Sequence, residues 1–352
     1  MKKLGRDEKG RVVYRSANCK NKHMVAMGKS GCGKTLMMLY QILLSARAGE
    51  RTIIFNWHRI INKNTMPKEM REEYDKYVKV IDVSKGIGIP LFDPLFDDNG
   101  DLEDDDICIG RITSLIANSC GLAPTYEAML YNAVSDIYEE NSYSEKGIKA
   151  VGDWFLNQDK KTAMTTRTKI ISLLEGNCLQ QGDFLEDDAM IYELDFNGLG
   201  YDRQKSVVDF LLKYIFELAI KGKFIDKPIN LYIDEAQNFD FSNNSVIYSA
   251  INESRRLDLR LLLSFPSMYA GRKKDMDVIT QCGVMFIFSP LDSDRRKIAE
   301  KICPKNTDTT VYKLSQLKVG QCLVFGDVEV ERSTKEKTIT IMADMKEMKK
   351  NG

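Results

Sequence analysis

The segment GKSGCGKT, Gly28–Thr35, fills every fixed position of the phosphate-binding loop pattern GxxxxGK[S/T]. It lies between an apolar run, Met24–Met27, and an apolar stretch of helical period, Leu36–Leu44. A loop of this kind needs a strand before it and a helix after it, because its backbone N–H groups curl around a phosphate at the helix N-terminus. The segment therefore predicts an α/β chain with a nucleotide site.

Within this loop the side chains have separate roles. Lys34 is predicted to reach the β- and γ-phosphates, and Thr35 to offer its hydroxyl to Mg²⁺. The small residues of the loop let consecutive N–H groups approach the β-phosphate. The predicted nucleotide-binding set is Gly28, Lys29, Ser30, Gly31, Cys32, Gly33, Lys34 and Thr35. ATP and Mg²⁺ are the ligands that this arrangement predicts.

A second motif, INLYIDEAQNF, lies far downstream. Ile229–Ile233 are typical of a buried strand, which would deliver Asp234 and Glu235 at its carboxyl end. A P-loop site needs one carboxylate there to hold the metal and another to activate water. Asp234 is predicted for the first role and Glu235 for the second. The alternative for Glu235 is a solvated residue that merely follows a strand.

Composition narrows the remaining possibilities. The chain has 352 residues, with 51 acidic and 51 basic side chains, so no overall charge attracts nucleic acid and any basic surface must be local. The eight cysteines show no CxxC spacing, which favours buried reduced thiols over a metal site. No stretch approaches eighteen uninterrupted apolar residues. A cytoplasmic protein without membrane insertion is the expectation.

Along the chain, strand and helix patterns alternate, which predicts a mostly parallel sheet covered on both faces. Strands are predicted at Met24–Met27, Thr52–Trp57, Val78–Asp82, Met190–Asp195, Ile229–Asp234, Arg260–Ser264, Gly283–Phe288 and Gln321–Phe325. A short β-rich run, Thr338–Met342, precedes a charged tail.

The strand signal disappears between about Asp104 and Gly176, where helical patterns follow one another. Helices are predicted at Ile107–Asn118, Thr125–Glu139, Ala150–Asn157 and Lys160–Glu175. We expect an all-helical insertion, residues 101–188, joined to the core only near Asp104 and Leu185. The ATPase core would then comprise residues 1–100 and 189–334, followed by a tail of residues 335–352.

Local basic segments follow the acidic pair, in ESRRLDLRL (Glu253–Leu261) and GRKKD (Gly271–Asp275). Arginines in such positions are often only solvated surface residues. A phosphoryl-transfer site can also use an arginine to stabilise charge in the transition state, and in a ring the neighbouring subunit supplies it. Arg255 and Arg256 are the candidates for that role, and the sequence does not choose between them.

Taken in order along the chain, these motifs resemble the HerA/FtsK superfamily of ring-forming P-loop ATPases, in particular HerA and the ATPases and coupling proteins of conjugative type IV secretion. The resemblance spans nearly the whole chain. It is carried by GKSGCGKT, IPLFDPLF (Ile89–Phe96), YELDFNGLG (Tyr192–Gly200), LYIDEAQNF, ESRRLDLRLLLSFPS, and TQCGVMFIF followed by DSDRRKIAEKI.

This resemblance implies a RecA-like core with a helical insertion, a hexameric ring, and ATP-driven movement of a nucleic acid or, in some members, a protein. It also implies roles for single residues. Lys34 and Thr35 match the phosphate-binding lysine and the metal-ligand threonine, Asp234 the metal-associated aspartate and Glu235 the catalytic glutamate. Either Arg255 or Arg256 matches the arginine that acts on a neighbouring subunit.

The chain departs from the family pattern where a glutamine that senses the γ-phosphate is common. Here LLLSFPS puts Ser264 and Phe265 at that place. A phenyl ring cannot hydrogen-bond to a phosphate, so Ser264 or Gln237 would have to take over this contact.

Three functions are consistent with these motifs. The first is an oligomeric, hexameric Mg²⁺-dependent ATPase that translocates DNA or drives a nucleic-acid-processing partner such as a nuclease. The second is an accessory ATPase that energises conjugation or secretion machinery. The third is a nucleotide-gated interaction module with little turnover, which the balanced charge and Phe265 favour.

Overall fold

The computed structural model describes residues 2–57, 61–96, 100–224, 227–242, 245–253, 257–267, 277–331 and 338–344. Every strand predicted above is present, with bounds that differ by no more than about a residue. The helices predicted for the insertion are also present, with ends that differ by at most about two residues. Arg255 and Arg256 lie outside the described residues.

Fourteen strands are described in these ranges. They are β1 (Lys3–Asp7), β2 (Val12–Arg15), β3 (Met24–Met27), β4 (Arg51–Asn56), β5 (Val78–Asp82), β6 (Ile87–Gly88), β7 (Leu179–Gln180), β8 (Ile191–Asp195), β9 (Ile229–Ile233), β10 (Leu259–Phe265), β11 (Val284–Ile287), β12 (Gln321–Gly326), β13 (Val328–Val330) and β14 (Thr338–Met342).

The helices of the same ranges alternate with these strands or follow one another in the insertion. They are α1 (Lys34–Arg47), α2 (Lys68–Tyr77), α3 (Asp105–Cys120), α4 (Pro124–Glu139), α5 (Tyr143–Lys146), α6 (Lys149–Leu156), α7 (Lys161–Leu174), α8 (Tyr201–Ile220), α9 (Val246–Asn252), α10 (Asp292–Ile302) and α11 (Thr307–Gln316). None of these helices combines the length and the apolarity needed to cross a bilayer.

Twelve of the described strands form one sheet in the order β13-β2-β1-β14-β12-β11-β3-β10-β9-β4-β8-β5. Pairing is parallel from β11 to β5, as predicted for a core of alternating strands and helices. From β13 to β11 it is antiparallel. Strands from both ends of the chain meet in this antiparallel half of the sheet. There β1 pairs with β14, and β2 pairs with β13. Sequence reasoning did not predict β1, β2 or β13.

Helices cover the two faces of the parallel half. Alternate residues of a strand point to opposite faces, and β3 shows this clearly. Met24 and Ala26 belong to the core under α1, whereas Val25 and Met27 belong to the core under α8 and the insertion. The phosphate-binding strand is therefore buried on both sides and has little freedom to move.

The insertion, α3 to α7, packs directly on the core. Its helices α3 and α7 contact α8, and their buried side chains, among them Ile112 and Ile170, share one continuous apolar cluster with Phe210 and Leu211 of α8. At its base the short strands β6 and β7 pair with each other. The expectation that only the two connections join it to the core is therefore wrong, because amphipathic helices of this length bury their apolar faces against the nearest helix.

His23, which precedes β3, joins three elements at the opposite end of the sheet from the phosphate-binding loop. Its Nδ1 accepts a hydrogen bond from the backbone N–H of Leu261 (2.8 Å), and its Nε2 lies 3.0 Å from the carbonyl of Ala250 in α9. The side chain is fully buried. Burial lowers the pKa of His23 to about 4, so the ring is neutral in the folded protein.

Because of this histidine, we expect the free energy of unfolding to decrease as the pH is lowered. The unfolded chain binds a proton near pH 6.5 and the folded chain only near pH 4, so the contribution is complete above 6.5 and is lost as pH decreases toward 4. Between pH 7.5 and 5 the loss is about 2 kcal/mol. Urea unfolding at the two values measures it. In His23→Gln, which keeps an acceptor and a donor but cannot titrate, this pH-dependent difference should disappear; an unchanged pH dependence would contradict the assignment.

Candidate nucleotide-binding site

The phosphate-binding loop joins β3 to α1 through backbone conformations that favour glycine. Gly28, Gly31 and Gly33 have φ values of 147°, 75° and 106°, which side chains of L-residues rarely tolerate. Space is also short, because a Cβ on Gly28 would lie 2.7 Å from the Cβ of Phe288. The sequence pattern therefore reflects backbone shape as well as phosphate chemistry.

Lys34 is the first residue of α1, and its side chain folds back over the loop. The ammonium donates to the carbonyls of Gly28 (2.8 Å) and Lys29 (2.9 Å), and the side chain is buried. These two bonds hold the positive charge at the centre of the loop. The ammonium therefore lies within the loop to which the sequence assigned the β- and γ-phosphates.

The downstream carboxylates reach the same place from β9. Thr35 Oγ1 donates to Asp234 Oδ2 at 3.4 Å, so the two residues predicted to hold metal are adjacent. Asp234 is buried, and its Oδ1 accepts from the backbone N–H of Glu235 (2.9 Å). Trp57 at the end of β4 donates through Nε1 to the carbonyl of Asp234 (3.3 Å). These contacts fix the carboxylate toward the loop.

Two buried hydroxyls beside this pair, Tyr232 Oη and Ser264 Oγ, make no hydrogen bond of good geometry within the described residues. They are neighbours of each other, and Tyr232 Oη also adjoins Thr35 and Asp234. Tyr232 precedes Asp234 by two residues and so faces the same side of β9. Its pKa is raised well above the usual value, first by burial and then by the negative charge of Asp234, so the phenol stays neutral. Unpaired buried hydroxyls are costly, and at this position they favour a site completed by ligand or water.

These groups fit Mg²⁺ better than a metal held by protein alone. Mg²⁺ prefers oxygen ligands and usually combines one or two protein groups with phosphate oxygens and water. Thr35 and Asp234 offer such groups. Among the described residues no cluster of three or more His, Cys, Asp or Glu could hold a metal by itself.

Glu235 has a left-handed backbone, with φ 48° and ψ 43°. This conformation costs a residue with a side chain on the order of 1 kcal/mol, and such outliers are concentrated at functional sites. Its carboxylate is half-buried and accepts from Gln237 Nε2. The Glu235 carboxylate is thus bonded to Gln237, whereas the Asp234 carboxylate is bonded to Thr35.

Phe265, at the place where the resemblance led us to expect a glutamine, is a packing residue. Its ring is buried against Phe241, with ring centroids 5.6 Å apart. Its carbonyl accepts from the N–H of Gly28 at 3.2 Å, which ties the end of β10 to the loop. Of the two possible substitutes, Gln237 is bonded to Glu235, whereas Ser264 Oγ is unpaired.

Two features of the site carry no signal in the sequence. The N–H of Gly320 donates to the carbonyl of Cys32 (2.9 Å), so a distant loop supports the phosphate-binding loop. Lys29 lies 3.6 Å from Asp292 at the start of α10. The position of Tyr232 beside Asp234 could have been predicted from the sequence, since strand alternation puts the two residues on the same face of β9.

The residues predicted to bind nucleotide and metal therefore meet at one edge of the sheet, while Arg255 and Arg256 lie outside the described residues. The loop after β3 is flanked by β10 and β11, and the acidic pair follows β9, the next strand but one; this is the arrangement of a RecA-like P-loop fold.

Comparison with known proteins gives the same fold. VirB4 of Thermoanaerobacter pseudethanolicus superposes with a TM-score of 0.69 at 15% identity, over 97% of this chain and 96% of that chain. The plasmid coupling protein TrwB in complex with ADP and Mg²⁺ superposes with a TM-score of 0.57 at 11% identity, over 93% of this chain and 86% of that chain. The chain therefore shares the fold of VirB4 and TrwB.

A curated relative is an ATP-dependent helicase/deoxyribonuclease component of Clostridioides difficile (strain 630), 25% identical over 301 residues. The match covers 82% of this chain and 24% of that protein, so the chain spans about a quarter of the relative's length. No protein-family model matches the chain.

Because the hydroxyl of Ser264 is unpaired, we expect its removal to have opposite effects on the stability without nucleotide and on the stabilisation by Mg-ATP. Ser264→Ala removes a buried hydroxyl without a partner, so the free energy of unfolding without nucleotide should rise by about 1 kcal/mol. The same variant should gain less stability from Mg-ATP than the parent, because the ligand loses a contact. Thermal unfolding with and without Mg-ATP measures both.

The matched control is Thr166→Val in α7, whose buried hydroxyl donates to the carbonyl of Thr162 (2.8 Å). This control should gain no stability and should keep the full response to Mg-ATP. If Ser264→Ala is instead less stable than the parent without ligand, the hydroxyl serves the folded core and not the nucleotide.

Proposed function

We propose that this protein is a Mg²⁺-dependent ATPase of the HerA/FtsK type that works as an oligomeric, hexameric ring to move DNA or to drive a nucleic-acid-processing partner. The observation that carries the proposal is the meeting of Lys34 and Thr35 with Asp234 and Glu235 at one edge of the sheet. A nucleotide-binding protein without turnover needs the first pair but has no use for a strained second carboxylate.

The chemistry follows from these positions. Lys34 binds the β- and γ-phosphates, and the N–H groups of the loop orient them. Thr35 and Asp234 would hold Mg²⁺, which would neutralise charge on the phosphate oxygens. Glu235 accepts a hydrogen bond from the attacking water and aligns it with the γ-phosphorus. Ser264 donates its unpaired hydroxyl to the γ-phosphate, in place of the family's glutamine.

Movement of DNA is supported by the relatives. VirB4 and TrwB have this fold, and TrwB is described as a conjugative coupling protein. The Clostridioides protein is described as part of an ATP-dependent helicase/deoxyribonuclease. A ring is the form in which an arginine from the next subunit completes a site of this kind, and Arg255 and Arg256 are the proposed donors.

The accessory ATPase of conjugation or secretion shares the same chemistry and differs only in its partner. Its support is the similarity to VirB4 over nearly the full length of both chains. DNA-stimulated hydrolysis separates the two functions, because a secretion ATPase should respond to a protein partner instead.

Two substitutions test the chemistry. Lys34→Ala should weaken nucleotide binding, since the buried ammonium is the charge nearest the phosphates. Glu235→Gln keeps the shape and removes the charge, so it should bind ATP normally and hydrolyse it at least about a hundredfold more slowly. Binding titration and phosphate release distinguish the two steps. Parent-like hydrolysis by Glu235→Gln would show that another group activates the water.

Substitution of Arg255 and Arg256 tests whether the protein works as a ring. An arginine that completes a neighbour's site acts mainly in the transition state, so Arg255→Ala or Arg256→Ala should cost hydrolysis on the order of a thousandfold and leave binding almost intact. Mixing the affected variant with Glu235→Gln should restore some turnover where two intact halves meet. Single-variant and mixed hydrolysis rates measure this.

Arg260 offers the matched control, because it is close in sequence but is held in an ion pair with Glu50 at 2.5 Å. Arg260→Ala should lower stability and show no complementation. If both Arg255→Ala and Arg256→Ala hydrolyse ATP like the parent, and the protein stays monomeric with ATP and DNA, the nucleotide-gated module becomes the better account.

A further inference from the structure

The loop Leu317–Gly320, between α11 and β12, lies against the phosphate-binding loop. The N–H of Gly320 donates to the carbonyl of Cys32 at 2.9 Å, and a Cβ on Gly33 would lie 3.1 Å from Gly320 Cα. The loop reaches this edge because β12 runs antiparallel to β11 and therefore begins where β11 ends. We call residues 317–320 the flanking loop.

Val319 of the flanking loop is 79% exposed, the largest exposure of any bulky apolar side chain in the described part of the chain. The loop around it is held firmly. The N–H of Lys318 donates to Gln321 Oε1 (3.0 Å), and the N–H of Gln321 donates to the carbonyl of Lys318 (2.9 Å). An apolar side chain on a rigid loop beside a ligand site favours a contact with the ligand.

A second exposed apolar side chain belongs to the same edge. Ile287 of β11 pairs with Leu323 of β12. Leu291 comes four residues after Ile287, and Val319 comes four residues before Leu323. The segment that follows β11 and the segment that precedes β12 therefore leave the sheet at one place, and each carries an exposed apolar residue there. Leu291 is 49% exposed, directly before α10.

The direction of the nucleotide follows from the strand order. The γ-phosphate must face Asp234 and Glu235, which follow β9, and β9 lies on the β10 side of β3. The β-phosphate is fixed by the loop after β3. A roughly linear triphosphate therefore places its α-phosphate and nucleoside on the opposite side, toward β11 and β12, where Leu291 and the flanking loop lie.

We propose that Val319 and Leu291 form the contact surface for the nucleoside, with the base packed against their side chains. The inference rests on the proposed ATP site and adds to it the residues that hold the base. Aliphatic side chains pack against the flat face of a base and form no hydrogen bonds with its edge, so adenine and guanine nucleotides should bind with similar affinity.

The test compares Mg-ATP with Mg-tripolyphosphate, which has the phosphates but no nucleoside. Val319→Ser should weaken Mg-ATP binding roughly fivefold, because apolar contact area is lost, and should leave tripolyphosphate binding unchanged. Leu291→Ser should act in the same direction. Isothermal titration gives both dissociation constants, and the exposed position of Val319 leaves folding unaffected.

Val80→Ser is the matched control, since Val80 is also exposed (49%) but lies on β5 at the far edge of the sheet. It should bind both ligands like the parent. If the parent binds ATP no more tightly than tripolyphosphate, or if Val319→Ser and Leu291→Ser bind ATP within about twofold of the parent, the inference is wrong. A parent that binds neither ligand would overturn the proposed function itself.

Discussion

The parallel pairing of β3, β10 and β9 is the constraint on which the site depends. Backbone hydrogen bonds set Ala26 beside Ser264, and Leu263 beside Ile233. Because parallel strands end at the same edge, this register brings the phosphate-binding loop and the acidic pair together. Because β10 lies between them, the strands β3 and β9 are about two strand spacings apart, on the order of 10 Å. The side chains of Thr35 and Asp234 span this gap and meet at 3.4 Å.

The site is then held by groups that the fold would not keep for stability alone. Lys34 and Asp234 are buried charges, Tyr232 and Ser264 are buried hydroxyls without good partners, and Glu235 has a strained backbone. Each lowers the stability of the protein without nucleotide. A bound triphosphate with its metal offers partners to most of them at once, so ligand binding and local stability should be strongly coupled.

The sequence was sufficient for the local parts of this arrangement. Residue patterns within short windows predict a loop between β3 and α1, the parallel strands and the insertion helices, and the structure confirms these elements. Phe265 could be identified as a departure from the family, but its contact with Phe241 could not.

What could not be predicted depends on contacts between distant parts of the chain. The strand β1 is defined by pairing with β14, more than three hundred residues away, and its own five residues carry little strand signal. Gly320 meets Cys32 for the same reason. The packing of the insertion on α8 also escaped prediction, since periodicity shows that a helix has an apolar face but not which neighbour covers it.

This packing bears on how the site would be linked to a neighbouring subunit in the proposed ring. The helix α8 contacts α3 and α7 of the insertion and also α9, so it is shared by the insertion and by the segment that precedes Arg255 and Arg256. His23 binds α9 to β10, whose other end supports Gly28. A displacement of α9 by a neighbouring subunit would therefore strain β10 and α8 together, and packed interiors transmit such strain because they contain few voids. On this geometry the insertion belongs to the same mechanical unit as the nucleotide site.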